Sequence, residues 1–450
     1  MKFAWPQPAT LLRYGWAALG GAALACAFPK VGLAGLAWVA PGWLLFGALA
    51  ARGNEAFRVG FVGGLAYSLV AFYWLLLIPF PAGAIAGWLA LSAYLGLYVG
   101  AWVWLSWKGF PAGEKASFPL SPLHQPTVPS WLRFSRTDLL LDFAGSPLIT
   151  RAVWALWGAT VWVALEMLQA RLFTGFPWNL LGVSQYQILP VVQLASVTGV
   201  YGISFLLIWF SIAAASAVAQ VLTAPDRPRG WVGDLVLPLL SLAAVLFFGA
   251  SELAKRTPPE RSVTAVLVQP SIPQTLIWDP NQNATRFAQL IQLSERALRE
   301  TTNAQILVWP EASVPNMLRY ERETYEAVTN LAIVHQVWII LGSDDAAPRP
   351  GSTTREVDYY NSSFLITPRG ELAATYQKRK LVIFGEYIPL ERWFPFMKWL
   401  TPVERASLPG KGRAFPPSRA AREHLHSNLL RRHLPSPREG IRRRRHRLFA

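Results

Sequence analysis

The sequence predicts a polytopic α-helical membrane domain over residues 1–254, an α/β domain over 255–410 and a basic tail over 411–450. Three observations predict it. Hydrophobic residues make up 52% of the chain, charged ones only 15%, and there are 21 tryptophans, a composition of helical membrane proteins rather than soluble ones. Seven apolar stretches of about span length fill the first 254 residues. After Arg261 the texture changes to short β-type runs alternating with helical spacing.

The seven stretches run over about 11–29, 32–51, 57–78, 83–107, 151–168, 195–222 and 232–252. The first flows straight into the second across Pro29-Lys30, so it reads as an anchor, not a cleaved signal. With the N-terminus in the cytoplasm, eleven cations fall inside: Lys2, Arg13, Arg52, Arg58, Lys108, Lys115, Arg133, Arg136, Arg151, Arg227 and Arg229. Only Lys30 and Arg171 fall outside, and cytoplasmic loops carry the excess of positive charge. An odd number of crossings then puts everything after about residue 254 on the outer face. The Pro- and Ser-rich segment 108–150 reads as a long cytoplasmic loop.

One outer loop stands apart, running from Glu166 through Phe176-Pro177-Trp178 to Gly182 and Gln185. Its aromatics fit an interfacial belt, or a surface that meets substrate. A glutamate at the edge of a span is costly unless paired or wet, and Arg171 is the partner the sequence offers.

In the polar domain, strands are expected at 263–269, 306–310, 337–341, 360–367 and from 372, with a helix at 284–300. Active residues of open α/β sheets sit at strand C-termini. Glu311 follows directly on the second strand, with Pro310 fixing the backbone before it. A partly desolvated carboxylate there is expected to have a raised pKa and to act as a general base, although a lone glutamate also serves as a turn residue. Lys378 lies in Tyr376-Gln-Lys378-Arg-Lys-Leu-Val-Ile-Phe384-Gly-Glu386, and the Phe-Gly-Glu turn brings Glu386 back towards it. An ammonium between carboxylates is placed to stabilise a developing oxyanion.

The net charge of +16 is uneven: residues 411–450 hold 12 Lys/Arg against 2 Asp/Glu. That tail is the one feature pointing to nucleic acid, and no nucleic-acid role is expected from it. One cysteine, Cys26, excludes a disulfide framework or a thiolate zinc cluster.

Together these residues resemble the apolipoprotein N-acyltransferase family, bacterial inner-membrane enzymes with a nitrilase-like domain outside the cytoplasm. The resemblance covers about residues 10–410. It is carried by Thr174-Gly-Phe-Pro-Trp178, Gly199-Val-Tyr-Gly-Ile-Ser204, Val268-Gln269, Ile272-Pro-Gln274, Trp278-Asp-Pro280, Trp309-Pro-Glu311 and the Lys378–Glu386 block. It implies an α-β-β-α sandwich for the second domain, here incomplete. It also implies a ping-pong reaction in which a cysteine thiolate takes an acyl chain from a phospholipid of the phosphatidylethanolamine type. The thioester then passes it to the α-amine of a diacylglyceryl-cysteine at an apolipoprotein N-terminus. By motif match Glu311 is the general base, Lys378 the oxyanion partner and Glu386 a support. Trp278 lies by the lipid entrance, and Phe176, Pro177 and Trp178 contact substrate. No metal or cofactor is implied, and a monomer is expected. The family places its nucleophile after the Phe-Gly-Glu block, in a context like Ile-Cys-Tyr/Phe-Glu.

Here that context is missing from about Ala406 onward, and the tail from Pro416 shows no strand, helix or span periodicity. Cys26, in an apolar stretch, does not substitute. The run Ser427-Asn-Leu-Leu-Arg-Arg-His433 can be encoded so that a one-base shift reads Ala-Ile-Cys-Phe-Glu-Asp. A frameshift between about 406 and 426 is therefore expected, leaving the tail out of frame and disordered and the chain impaired. Two other readings compete. One is a non-catalytic membrane protein that binds lipid or lipoprotein. The other is a membrane-tethered amidase, against which the seven stretches and the Phe-Pro-Trp loop both speak.

Overall fold

The computed structural model describes residues 8–48, 51, 54–78, 80–111, 143, 145–223, 228–255, 262–277, 279–349, 357–383, 385–388 and 407–410. Trp278, Phe384, most of the 108–150 loop and the whole 411–450 tail lie outside the described residues. The chain divides into two units, Met1–Pro258 and Pro259–Ala450.

The first unit is helical: α1 (Pro8–Ala25), α2 (Ala40–Ala48), α3 (Asn54–Ala71), α4 (Pro81–Lys108), α5 (Leu148–Gln169), α6 (Val200–Thr223) and α7 (Pro228–Ala254). Within the described residues four are long and apolar enough to cross a membrane: α4, α5, most of α6 and most of α7. The first and third stretches form the 18-residue helices α1 and α3. The second stretch, 32–51, does not form a span-length helix. It folds as a 3-10 turn (Ala34–Trp38) and the nine-residue α2, about 13 Å long. Gly32, with φ 71°, turns the chain before Ala34, and Pro41 sits in the first turn of α2, where its missing N–H costs nothing.

Small residues let these helices approach closely. A Cβ on Gly60 of α3 would stand 3.0 Å from Gly100 Cα of α4, and one on Gly64 would stand 3.0 Å from Gly96 Cα. The core beneath is built from Leu44, Leu45, Trp102, Trp154, Leu207, Ile208 and Ile212. Arg151, counted above as a loop cation, is instead buried in α5. Its Nε donates to both oxygens of Asp234 on α7, at 2.9 and 3.1 Å. Burial drives this pairing, since an isolated charge at such a depth is too costly.

The second unit holds one five-stranded mixed sheet in the order β1 (Ala265–Leu267), β2 (Ile306–Val308), β3 (Trp338–Pro348), β4 (Val357–Ile366), β5 (Leu372–Gln377). β1, β2 and β3 run parallel, linked by α8 (Asn283–Glu300) and α9 (Arg322–His335); β4 and β5 add antiparallel. Parallel neighbours need such crossovers, whereas β4 and β5 are joined by the short turn at Pro368-Arg-Gly370. On α8 the buried residues Leu290, Ser294 and Leu298 recur every four positions; Leu290 and Leu298 join one core with Leu307, Ile339, Leu341 and Phe364 of the sheet, and Ser294 Oγ accepts from Trp309 Nε1 at 2.9 Å. A four-layer sandwich needs a second sheet; the described residues form one.

Candidate active site

The polar site draws on the ends of β2 and β5 and on the middle of β4. Strand β2 stops two residues before Pro310, and the chain then leaves the sheet with Ala312 in the left-handed region at φ 49°. Glu311 rides on that exit. The exit lies close to β3, because position 342 is glycine: a Cβ there would stand 2.7 Å from Ala312 N and 2.8 Å from Glu311 Cα. Buried Ser343 then pins the following loop, accepting from Leu318 N–H at 3.2 Å and donating to Asn316 O at 3.0 Å.

Lys378 follows the last residue of β5, and its backbone N–H donates to Asn361 O on β4 at 2.8 Å. Its Nζ stands 2.8 Å from Glu311 Oε1 and 3.0 Å from Glu386 Oε1. Glu386 is held by the tight turn that bears it: Glu386 N–H donates to Val382 O at 2.9 Å, and Val382 N–H donates to Glu386 Oε2 at 2.8 Å. Three of the residues read from the sequence are thus brought into one cluster.

A fourth member was missed. Asn361 Nδ2 donates to Glu311 Oε1 at 2.7 Å and to Glu386 Oε1 at 2.9 Å, bridging the same two carboxylates as Lys378. The only signal for it was a polar residue opening the run Asn361-Ser-Ser within an otherwise apolar strand.

The electrostatics differ from the expectation for Glu311. Its side chain is 63% exposed, and the Lys378 hydrogen bond outweighs partial desolvation and holds its carboxyl below the usual carboxylate range, with Asn361 adding to the effect. Partial burial pulls the Lys378 ammonium down, but its bonds to Glu311 and Glu386 outweigh this and its pKa is raised. The cluster therefore sets an ionised Glu311 beside the Lys378 cation at neutral pH. Among the described residues no group of three or more His, Cys, Asp or Glu is placed to hold a metal ion.

The loop of the helical unit is a separate structure. Gln169 clasps Phe176 on both sides: Phe176 N–H donates to Gln169 O at 2.9 Å, and Gln169 Nε2 donates to Phe176 O at 3.0 Å. Phe176 packs edge-on against Phe72 at 5.5 Å between centroids, and Trp178 stacks on Trp74 at 5.1 Å. Pro177, between them in sequence, is exposed. Arg171 does not serve Glu166: its guanidinium donates to Met167 O at 3.1 Å, one turn back. Buried Glu166 accepts instead from Leu181 N–H at 2.7 Å, because the loop folds back over the end of α5. Cys26 lies in the turn just after α1, in the helical unit.

Two family models match the chain: the apolipoprotein N-acyltransferase N-terminal domain over residues 20–213, and carbon-nitrogen hydrolase over 264–416. A protein named apolipoprotein N-acyltransferase from Geobacter metallireducens is 30% identical over 396 residues, 86% of this chain and 67% of that protein. Proteins of the same name match from Brucella suis (30% identical, 73% of this chain, 59% of that one) and Azotobacter vinelandii (32% identical, 66% and 54%). The chain thus spans 54% to 67% of the length of these relatives. Composition, membrane-length helices, the Glu311–Lys378–Glu386 cluster and these similarities agree: the chain belongs to the apolipoprotein N-acyltransferase family, acyltransferases of the carbon-nitrogen hydrolase type.

Proposed function

We propose that this polypeptide is built to transfer an acyl chain from a membrane phospholipid to the α-amine of a diacylglyceryl-cysteine at an apolipoprotein N-terminus, through a thioester. The observation that carries the reading is Lys378 Nζ set between Glu311 and Glu386 at 2.8 and 3.0 Å. An ionised Glu311 is ready to accept a proton from a thiol and later from the attacking amine. Lys378, with a charge guaranteed at neutral pH, is ready to stabilise the oxyanion of each tetrahedral intermediate. Asn361 and Glu386 keep the two in register. Phe176, Pro177 and Trp178 would meet lipid from the helical unit, and Trp278 would stand by the lipid entrance. The donor would be of the phosphatidylethanolamine type and the enzyme a monomer in the bacterial inner membrane. Its N-terminus would be cytoplasmic and its second domain periplasmic.

The thiol itself is the open element. The one cysteine, Cys26, belongs to the helical unit, and residues 259–450 contain none. The proposed source is the alternate reading frame after about residue 406, where Ser427–His433 can be encoded so that a cysteine codon would fall near position 429. Sequencing the DNA across codons 400–450 tests this directly: no cysteine codon in the alternate frame refutes it. With a frame-restored chain, acyl transfer from phosphatidylethanolamine vesicles to a diacylglyceryl peptide is expected, and Glu311→Gln is expected to slow it about 10²–10⁴-fold. Equal rates would remove Glu311 from the reaction.

The lack of a cysteine in residues 259–450 favours a second reading for the chain in its present form: a binder of lipid or lipoprotein without turnover. A stable acyl adduct after exposure to phospholipid would exclude it.

A further inference from the structure

Beyond the Glu386 turn the chain returns to the polar site at Ser407-Leu-Pro-Gly410. This short strap commits every N–H it has to the main chain around the cluster. Ser407 N–H donates to Glu386 O at 2.9 Å, Leu408 N–H to Tyr359 O of β4 at 2.8 Å, and Gly410 N–H to Lys378 O at 2.9 Å. Pro409 has no N–H to place, and its ring fixes φ between the last two donors. The carbon-nitrogen hydrolase match runs to residue 416 and so includes these four residues.

The strap stands where β5 leaves off. Strand β5 ends at Gln377, Lys378 N–H still pairs with Asn361 O of β4, and the next acceptor along β4, Tyr359 O, is taken by Leu408. Lys378 is thus held on both sides of its α-carbon, by its own N–H on β4 and by Gly410 on its carbonyl. Without the second hold it would be the first residue past a strand end, where backbone frays. The approach requires glycine. A Cβ at position 410 would stand 2.5 Å from Gln377 O, 2.6 Å from Gln377 Cβ and 2.9 Å from Gln377 C, none of which can rotate away.

A lysine ammonium rides on a flexible four-carbon stem, so it occupies one spot only if its root is fixed. The side chains of Lys378 and Glu386 meet at 3.0 Å, and the strap binds the main chain of both. We propose that residues 407–410 are a positioning element of the site, with Gly410 as its key residue. They hold the roots of Lys378 and Glu386 in register, so that Lys378 Nζ stays between Glu311 and Glu386. Gly410 acts through Lys378, not on substrate. What Lys378 then does rests on the acyl-transfer reading above; the positioning itself does not.

The test is the reactivity of Lys378 in the full 450-residue chain in detergent, labelled by trace acetic anhydride at pH 9 and read by mass spectrometry. Only the neutral amine reacts. Against partial desolvation, the bonds to Glu311 and Glu386 keep Lys378 protonated, so losing them speeds its labelling. The exposed Lys380, two residues on, is the internal reference. Gly410→Ala is expected to raise the Lys378 to Lys380 labelling ratio about tenfold, the scale of one hydrogen bond to a charged group. Ser407→Pro, which removes the donor to Glu386 O, is expected to raise it in the same direction. A strap that only adds stability would lower the melting temperature and leave the ratio unchanged; that result in folded Gly410→Ala overturns the proposal. If Gly410→Ala does not fold, hydrogen exchange of the wild type decides. The amides of Ser407, Leu408 and Gly410 are expected to exchange together with that of Lys378. Strap amides exchanging a hundredfold faster than Lys378 would show that it is held without them, and would equally overturn the proposal. None of these readouts needs a thiol. An unmoved Lys378 sinks the strap and leaves acyl transfer standing, whereas a frame-restored chain that transfers no acyl group sinks that reading and leaves the strap.

Discussion

Asn361 Nδ2 sits 2.7 Å from Glu311 Oε1, and the same nitrogen reaches Glu386 Oε1 at 2.9 Å. A neutral amide thus shares with Lys378 the task of holding two carboxylates side by side. Removing it leaves Lys378 as the sole link between them. In a frame-restored chain, Asn361→Ala is expected to lower the transfer rate by roughly 10–100-fold, the scale of losing one well-placed hydrogen bond at a charged centre. Asn361→Asp is expected to be worse, since it sets a third carboxylate against two. Rates within a factor of two of wild type for both variants would show that the bridge is incidental.

The pH dependence follows from the two shifted groups. Glu311 is depressed below its ordinary value of 4.5, so its contribution to stability is present above that value and is lost as pH falls through the lower folded one. Lys378 is raised above 10.5, so its contribution is complete below that value and is lost as pH rises through the higher folded one. The cluster's contribution is therefore flat across neutral pH and falls at both extremes. Lys378→Met should flatten the alkaline limb and return Glu311 towards 4.5. Melting temperature measured against pH for both chains checks this, and superimposable profiles would contradict it.

Gly342 tests whether backbone approach positions Glu311. A methyl at this site meets backbone atoms on three sides, Ala312 N at 2.7 Å and Glu311 Cα and Pro310 O at 2.8 Å, none of which can rotate away. Gly342→Ala is expected to cost about 1–3 kcal/mol by overpacking. It should also move Glu311 off Lys378, lowering turnover more than the stability loss accounts for. A variant with normal turnover per folded molecule would show that the approach only packs the sheet.

Arg319 forms an ion pair with the buried Asp345 in the second unit. Arg319 Nε donates to Asp345 Oδ1 at 2.9 Å, Nη2 completes the fork on Oδ2, and Asp345 is 1% exposed. Burial outweighs these bonds and pushes the Asp345 carboxyl up. Arg319→Leu strands that carboxyl and is expected to destabilise the unit by about 3–5 kcal/mol, whereas Arg319→Leu with Asp345→Leu should recover much of the loss. Chemical denaturation of the three chains gives the answer; additive losses would contradict the pairing argument.

Much of this was legible in the sequence, for identifiable reasons. Strands β1 to β5 announce themselves as apolar runs bounded by turn residues, Pro310 marks where Glu311 leaves β2, and Gly385 marks the turn beyond β5 that carries Glu386. Asn361 was not legible, because on a strand a polar residue reads as solvent-facing. It takes the pairing of β4 with β3, Asn361 opposite Asp344, and the bond from Lys378 N–H to Asn361 O to bring it to the carboxylates. Stretch 32–51 misled because hydropathy counts apolar residues without asking whether Gly32 and Pro41 break the helix. The Glu166–Arg171 pair misled because proximity in sequence says nothing about a loop that returns Leu181 to the same carboxylate.

The most direct test of the account is the intact mass of two purified proteins after incubation with phosphatidylethanolamine: the 450-residue chain, and the chain translated in the alternate frame after about residue 406. The account predicts one acyl group, released by hydroxylamine, on the frame-restored protein and none on the other. An acyl adduct on the 450-residue chain, or its absence from a folded frame-restored chain, would contradict it.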